Sequence, residues 1–366
     1  MRRWGLYLLA AIAIAAPLAA CGSTETADTT DSADSAEATD GGETTASGGE
    51  GSLLQTVLDR GQLVCGVDGG IPGFSFVDES GEYSGIDVDI CRAVAAALFD
   101  DPEAVEYRRL DSTERFTALS GGEVDMLSRN TTWTISRDTS VGLEFAPTTF
   151  FDGQGMMVRE DSGIETLEDF AGRAVCVETG TTTELNLTDQ MRSLNVEFEP
   201  VVFQDADAAY AAYDEGRCEG MTSDKSQLIA RRSTLPTPDE HVLLEVTMSK
   251  EPLGPVTVNN DSAWFDTVKW VTYGLIQAEE FGITSENIGE FEGGEDPNIA
   301  RFLGEEGTLG SDMGLPDDFM ARVIRSVGNY GEIYERNLGA ESQFTLERGQ
   351  NALWTEGGLL YAPPFR

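Results

Sequence analysis

One short stretch concentrates the most specific chemistry of the chain. Leu127-Ser-Arg-Asn-Thr-Thr-Trp-Thr-Ile-Ser-Arg137-Asp sets two arginines around a run of hydroxyl and amide side chains, in a protein whose 65 acidic residues outnumber its 24 basic ones. A planar guanidinium fork matches a carboxylate through two parallel hydrogen bonds, and hydroxyls and amides supply further polar contacts. A solvated loop accounts for the polarity of the run, but not for the tryptophan or the repeated arginine. A pocket for a small carboxylate accounts for all of it.

Other chemistries have little to work with. The chain has a single histidine, His241, so His-ligated metal sites are nearly removed and one candidate is left for a Ser-His or Cys-His nucleophile. His241 lies where a loop enters an apparent strand and is expected to be a surface or structural residue. No metal site and no cofactor are expected. The formal charge of −41 opposes electrostatic binding to nucleic acid or to an anionic membrane surface. With 366 residues and 40% hydrophobic content, the chain is long enough for two domains with sizeable cores.

The elements that must position the arginines follow a pattern that occurs twice. Leu63-Val-Cys-Gly-Val-Asp68 reads as a buried strand, and the apolar spacing after Gly85 gives a helix as far as residue 99. A short capped helix from residue 112, a glycine stop and a strand then lead directly into the polar run. Later, Gly172-Arg-Ala-Val-Cys-Val177 is a strand, Thr179-Gly-Thr-Thr-Thr-Glu184 a turn entering a helix, and 206–216 a helix with a glycine stop. A strand over 217–224 follows, ending in Ser223 and Asp224. Two such units in series predict an α/β protein with two similar lobes. Ligands of open α/β sheets collect at the carboxyl ends of strands, where both polar endings lie. An apparent strand over 253–258 is expected to return to the first lobe, which helices over 264–280, 316–327 and 329–337 complete.

The N-terminus reads as an address. Residues 1–20 have a basic start, an apolar run and a small-residue end, the pattern of a secretory signal peptide. Leu18-Ala-Ala-Cys21 resembles a lipobox, whose cysteine is acylated and becomes the mature N-terminus. Residues 22–52 are Gly, Ser, Thr, Ala, Asp and Glu only, which cannot bury enough surface to offset chain entropy. Residues 21–52 are therefore expected to be a disordered tether between a lipid anchor and a folded body outside the cytoplasm. Removing Cys21 leaves Cys65, Cys91, Cys176 and Cys218, an even set suited to disulfides in an oxidising compartment. Three pairings are possible; proximity in sequence favours Cys65 with Cys91 and Cys176 with Cys218.

Taken in order, Gly85-Ile-Asp-Val-Asp, Arg115-Phe-Thr-Ala-Leu, Gly122-Glu-Val-Asp-Met-Leu-Ser-Arg-Asn-Thr-Thr-Trp-Thr, Glu178-Thr-Gly-Thr-Thr-Thr-Glu, Val327-Gly-Asn-Tyr-Gly-Glu-Ile-Tyr-Glu-Arg and Asn351-Ala-Leu-Trp-Thr-Glu-Gly-Gly-Leu form a specific set. From about residue 53 to the C-terminus the sequence resembles the periplasmic substrate-binding proteins of ABC-type amino-acid importers, in particular the general L-amino-acid-binding group. The lipobox and acidic tether depart from the many relatives that are freely soluble. The resemblance implies a two-lobe, type II periplasmic-binding-protein-like fold with a two-strand hinge and a helical C-terminal extension. Lobe 1 would take residues 53–153 and 251–366, and lobe 2 residues 154–250.

It also implies a monomeric binder rather than an enzyme, delivering free L-amino acids to a separate permease and ATPase complex. A free α-amino acid needs a donor fork for its carboxylate and an acceptor for its ammonium. Arg137 is the expected fork, supplemented by Asn130 and Thr132, and the family pattern gives this arginine the same role. Thr181 and Thr182 lie where a helix N-terminus favours an anion. Asp224 is the expected ammonium acceptor, again in agreement with the family. Phe74 is expected to cover an apolar part of the ligand. Arg115 and Arg129 are expected either to meet an acidic or amide side chain, favouring glutamate, aspartate or glutamine, or to form ion pairs. Trp133 is expected to pack. Two other readings share the fold: a periplasmic cyclohexadienyl or arogenate dehydratase, and an amino-acid-sensing module for a separate membrane receptor.

Overall fold

The computed structural model describes residues 52–366. The expected signal peptide, the lipidated Cys21 and the tether up to residue 51 lie outside the described residues. Two five-stranded sheets form the body, and their strands follow the same order. In the first, Val105–Arg109, Leu63–Val67 and Met126–Leu127 run parallel, followed by the antiparallel Val256–Val258 and then Leu143–Phe145. In the second, Glu199–Phe203, Ala174–Glu178 and Gly220–Asp224 run parallel, followed by the antiparallel Gln154–Arg159 and then His241–Leu243. The strands Leu63–Val67 and Gly220–Asp224 are buried throughout, as expected where helices cover both faces of a parallel sheet.

The chain passes between the sheets twice, through the short antiparallel pair Phe150–Asp152 and Glu251–Leu253. The expected strand over 253–258 is thus two strands, one in this hinge pair and one in the first sheet. Gly254 makes the break: a Cβ there would lie 3.0 Å from the Pro147 carbonyl oxygen, so the two crossings approach too closely for a side chain.

Helices of the first body share one apolar core. Ile86–Phe99 is buried on nearly all sides, and its alanines let Ser262–Phe281 and Phe319–Ser326 pack closely against it. Trp264 is fully buried there, its indole N–H donating to the Asp125 carbonyl at 2.8 Å, the usual requirement for burying a tryptophan. Tyr330–Asn337 closes this core, held at its start by a reciprocal cap between Asn329 and Glu332. The helices Leu53–Arg60, Pro297–Phe302 and Leu309–Met313 were not marked by strong periodicity; each is short, from five to eight residues. The second sheet has smaller cores, one on each face, around Phe170 and Leu187 and around Tyr210 and Leu228.

Both disulfides take the pairing that sequence proximity favours. Cys65–Cys91 ties the first strand to the helix Ile86–Phe99, and Cys176–Cys218 ties the strand Ala174–Glu178 to the segment entering Gly220–Asp224. His241 is buried, with Nδ1 2.8 Å from the Tyr213 hydroxyl, a structural position inside the second body. Among the described residues no helix is long and apolar enough to cross a membrane, and no cluster of histidine, cysteine and carboxylate side chains is placed to hold a metal.

Candidate functional site

The carboxyl ends of the parallel strands in the two sheets face a common polar cavity. From the first sheet, Asp68 and Arg129 reach it just beyond their strands, followed by Asn130 and Thr132. Arg115 comes from the first residue of the helix Arg115–Ser120, and Arg137 from a wide π-helical turn over Ser136–Ser140. From the second sheet, Glu178 and Asp224 are the last residues of their strands, while Thr181 and Thr182 open the helix Thr182–Leu194. The repeated strand order explains the convergence. Each lobe presents the same strand ends, and the hinge lets them face each other.

The arginines make one part of the lining strongly cationic. Arg115, Arg129 and Arg137 are all buried. Arg129 is neutralised locally: it pairs with Asp68 at 2.6 Å, donates to the Leu110 carbonyl at 2.7 Å and has Glu178 at 3.9 Å. Arg137 donates Nη1 to the Thr132 carbonyl at 2.8 Å, which aims the guanidinium. Its guanidinium and that of Arg115 lie over the same Phe116 ring, at 5.2 and 4.7 Å from its centre, a favourable cation–π arrangement. Neither Arg115 nor Arg137 forms an ion pair among the described residues. Burial lowers the pKa of Arg137 to about 10. Burial, and then the neighbouring Arg129 and Arg137, hold that of Arg115 well below the ordinary arginine range. Desolvated cations repelling one another form a site that favours an anion.

The opposite character surrounds Asp224. This carboxylate is buried, and its Oδ1 has no hydrogen-bond partner among the described residues. Its pKa is pushed well above the usual carboxylate range by burial, then by Asp152 and Glu251, against the pull of Arg137 and Arg115. Asp152, on the outgoing hinge strand, accepts from Gly153 N at 2.7 Å and from Ser226 N and Oγ; burial raises it to about 6. Glu251, on the returning strand, accepts from Thr132 and Thr182 hydroxyls at 2.6 and 2.8 Å and from Asn186 Nδ2 at 2.9 Å, and also from Ser249.

Of the residues singled out in the sequence, Arg115, Arg129, Asn130, Thr132, Arg137, Thr181, Thr182 and Asp224 all line the cavity. Asn130 has a left-handed backbone (φ 40°), and both its side-chain polar atoms are buried without a partner among the described residues. Thr181 is occupied as the helix N-cap, accepting from Glu184 N at 3.1 Å and donating to the Glu178 carbonyl at 2.7 Å. Phe74 is a correction. Its ring is 1% exposed and packs edge-on against Phe150 in the first core, while Ile71 lines the cavity instead. The reason is local: Gly85 (φ 123°) brings the start of Ile86–Phe99 so close to the Phe74 backbone that a Cβ there would lie 2.1 Å from its carbonyl oxygen. This contact anchors Phe74 on the core side of the turn. Trp133 stacks on Phe145 at 6.1 Å, half exposed and away from the cavity.

The sequence reading missed Asp68, Glu178, Asp152 and Glu251. The first two sit at strand ends, and that placement was a usable signal. Nothing local distinguishes the hinge carboxylates from the other acidic residues of so acidic a chain. Asp87 was also missed. It sits in the first turn of Ile86–Phe99, accepts from Asn130 N at 3.2 Å and Ser128 Oγ at 3.3 Å, and is raised by burial to about 7.

Two α/β bodies on a two-strand hinge, with a polar cavity between facing strand ends, define a two-lobe solute-binding protein. The family comparison agrees: residues 63–282 match bacterial extracellular solute-binding proteins, family 3, and the chain belongs to that family. It is 50% identical over 323 residues to the general L-amino acid-binding periplasmic protein AapJ of Rhizobium johnstonii, covering 88% of this chain and 95% of that one. It is 46% identical over 322 residues to the glutamate/glutamine/aspartate/asparagine-binding protein BztA of Rhodobacter capsulatus, with the same coverage of 88% and 95%. An ABC transporter periplasmic binding protein from Brucella ovis, solved with glutathione bound, superposes with a TM-score of 0.84 at 48% identity, covering 86% of this chain and 99% of that one. These relatives are solute-binding proteins, which sets the dehydratase reading aside.

Proposed function

We propose that the protein captures free L-amino acids outside the cytoplasm and delivers them to an ABC permease and its ATPase. The observation that carries this reading is the bipolar cavity, in which, among the described residues, two buried guanidiniums have no ion-pair partner and an Asp224 carboxylate oxygen has no hydrogen-bond partner. Arg137 takes the α-carboxylate, assisted by the Asn130 amide, and Asp224 takes the ammonium. Arg115 is left for a side-chain carboxylate or amide. That supports glutamate, aspartate, glutamine and asparagine as the best ligands, and the binding names of the Rhizobium and Rhodobacter relatives support the same class. Lobe 1 comprises residues 53–153 and 251–366 and lobe 2 residues 154–250, and they close over the ligand as a monomer. Cys21 carries the lipid, and residues 22–52 tether the body to the membrane surface.

A second ligand class has its own support. Glutathione, bound by the Brucella relative, keeps a free α-carboxylate and α-ammonium on its γ-glutamyl end. Outside the inner cavity, an adjoining space shares Asp68, Arg129 and Glu178 with it and gives room for the rest of a peptide. Arg109 is a cation on its wall, while Arg231 is paired with Asp207 at 2.5 Å.

A thermal-shift screen of the full chain against each standard L-amino acid and glutathione tests the proposal. A ligand at a hundred times its Kd stabilises by about 2.7 kcal/mol, a shift of several degrees. Glutamate, glutamine, aspartate and asparagine are expected to raise the Tm most. A melting temperature unmoved by every one of these compounds would overturn the reading.

A further inference from the structure

Thr132 and Thr182 bring their hydroxyl oxygens within 3.4 Å of each other at the cavity wall, one from each side of the cleft. Both also reach the same oxygen of Glu251, at 2.6 and 2.8 Å. A hydroxyl carries one proton, and a carboxylate oxygen only accepts. Both threonine protons are therefore directed at Glu251, and neither hydroxyl has one left for the other or for a ligand. What the pair presents to the cavity is lone pairs.

Glu251 is held firmly in this role. It is 1% exposed and makes no ion pair among the described residues. Its second oxygen accepts from Asn186 Nδ2 at 2.9 Å and from the Ser249 hydroxyl. It also stands at the start of the returning hinge strand, so it reaches Thr132 on the first body and Thr182 on the second together. Two facing oxygens without available protons, beside the unpartnered Asp224 oxygen, suit a group that only donates. A hydroxyl can satisfy one of these acceptors, and a carboxylate none. An ammonium, with three donors, can satisfy several.

We propose that Glu251 is a positioning residue that sets amine specificity: by taking both threonine protons it turns Thr132 and Thr182 into acceptors and restricts the cavity to ligands with a protonated amine. From sequence, Thr132 was expected to supplement the carboxylate fork, and Thr182 was placed only at a helix N-terminus suited to an anion. It rests on the amino-acid reading above and adds the residue that enforces it.

The test compares L-glutamate with L-2-hydroxyglutarate, which replaces the ammonium by a hydroxyl, by calorimetric titration into the full chain. The wild type is expected to prefer L-glutamate strongly. Glu251→Ala frees both hydroxyl protons, and Thr182→Val, nearly isosteric, removes one acceptor while leaving the hinge intact. Each is expected to lower the preference about tenfold or more, through weaker L-glutamate binding with hydroxyglutarate binding unchanged or improved. A merely structural role for Glu251 would weaken both ligands alike, and an equal loss in both variants overturns the proposal. Should Glu251→Ala fail to fold, the ratio in Thr182→Val decides alone. A wild type that binds no standard amino acid removes the amino-acid reading itself, whereas tight L-glutamate binding with an unchanged ratio in the variants removes only the role of Glu251.

Discussion

Arg137 and Asp224 come from different bodies of the protein, yet each is defined by what it lacks. Arg137 has a backbone carbonyl to aim it and an aromatic ring beneath it, but no carboxylate partner among the described residues. Asp224 is buried with an oxygen unsatisfied. Burial and the neighbouring Asp152 and Glu251 hold the pKa of this carboxyl above the usual carboxylate range when the site is free. A ligand ammonium beside it favours the charged form. Amino-acid binding is therefore expected to release protons, and affinity to weaken, as the pH falls through the raised pKa of the free state. Titrations at pH 6 in buffers of different ionisation enthalpy measure this directly. Proton uptake on binding would contradict the role given to Asp224. At this scale the sequence was legible where a residue type was unusual for the chain. Arginine amid so much acid drew attention to Arg115, Arg129 and Arg137. Arg137 stood apart as the expected fork, but Arg115 and Arg129 were left alike, because Asp68, which pairs with Arg129, is distant in sequence. Glu251 and Asp152 were hidden for the same reason: their significance is tertiary.

The elements that carry these residues were easier to read. Helix and strand periodicities, glycine stops and caps marked most of them, and the repetition of one strand–helix pattern fixed which strand ends would face each other. The hinge was harder, since a strand of three residues leaves no period to detect and Gly254 interrupts an otherwise continuous apolar run. Phe74 was misjudged because a glycine-rich turn can point its aromatic residue either way, and the contact with Gly85 decides the direction. Each disulfide ties the middle of a parallel strand to a neighbouring segment of its own body. With sequence separations of 26 and 42 residues, loss of each is expected to cost about 3–4 kcal/mol if loop-closure entropy dominates. Paired Cys→Ser variants, Cys65 with Cys91 and Cys176 with Cys218, measured by denaturant unfolding, check the value. A fall in stability below about 1 kcal/mol in both would show that the packing around each bond suffices without it.

For the whole molecule, the separation of labour is plain. The first body holds most of the helices and the larger core, while the second contributes Asp224 and the helix that opens at Thr182. Neither body alone offers both a carboxylate fork and an ammonium acceptor, so a ligand that needs both favours the closed arrangement, and its affinity for one lobe is small. The −41 charge of the full chain sits outside this logic. It suits solubility, and the cavity works against it by gathering buried arginines. The most direct test is a calorimetric titration of L-glutamate into the wild-type chain and its Arg137→Ala variant side by side. The wild type is expected to bind one equivalent at micromolar affinity or better, about −8 kcal/mol, and the variant to lose at least about a hundredfold, as truncation of one partner of a buried charge pair does, with its ligand-free melting temperature little changed. Wild-type affinity in the folded Arg137→Ala protein would contradict the account.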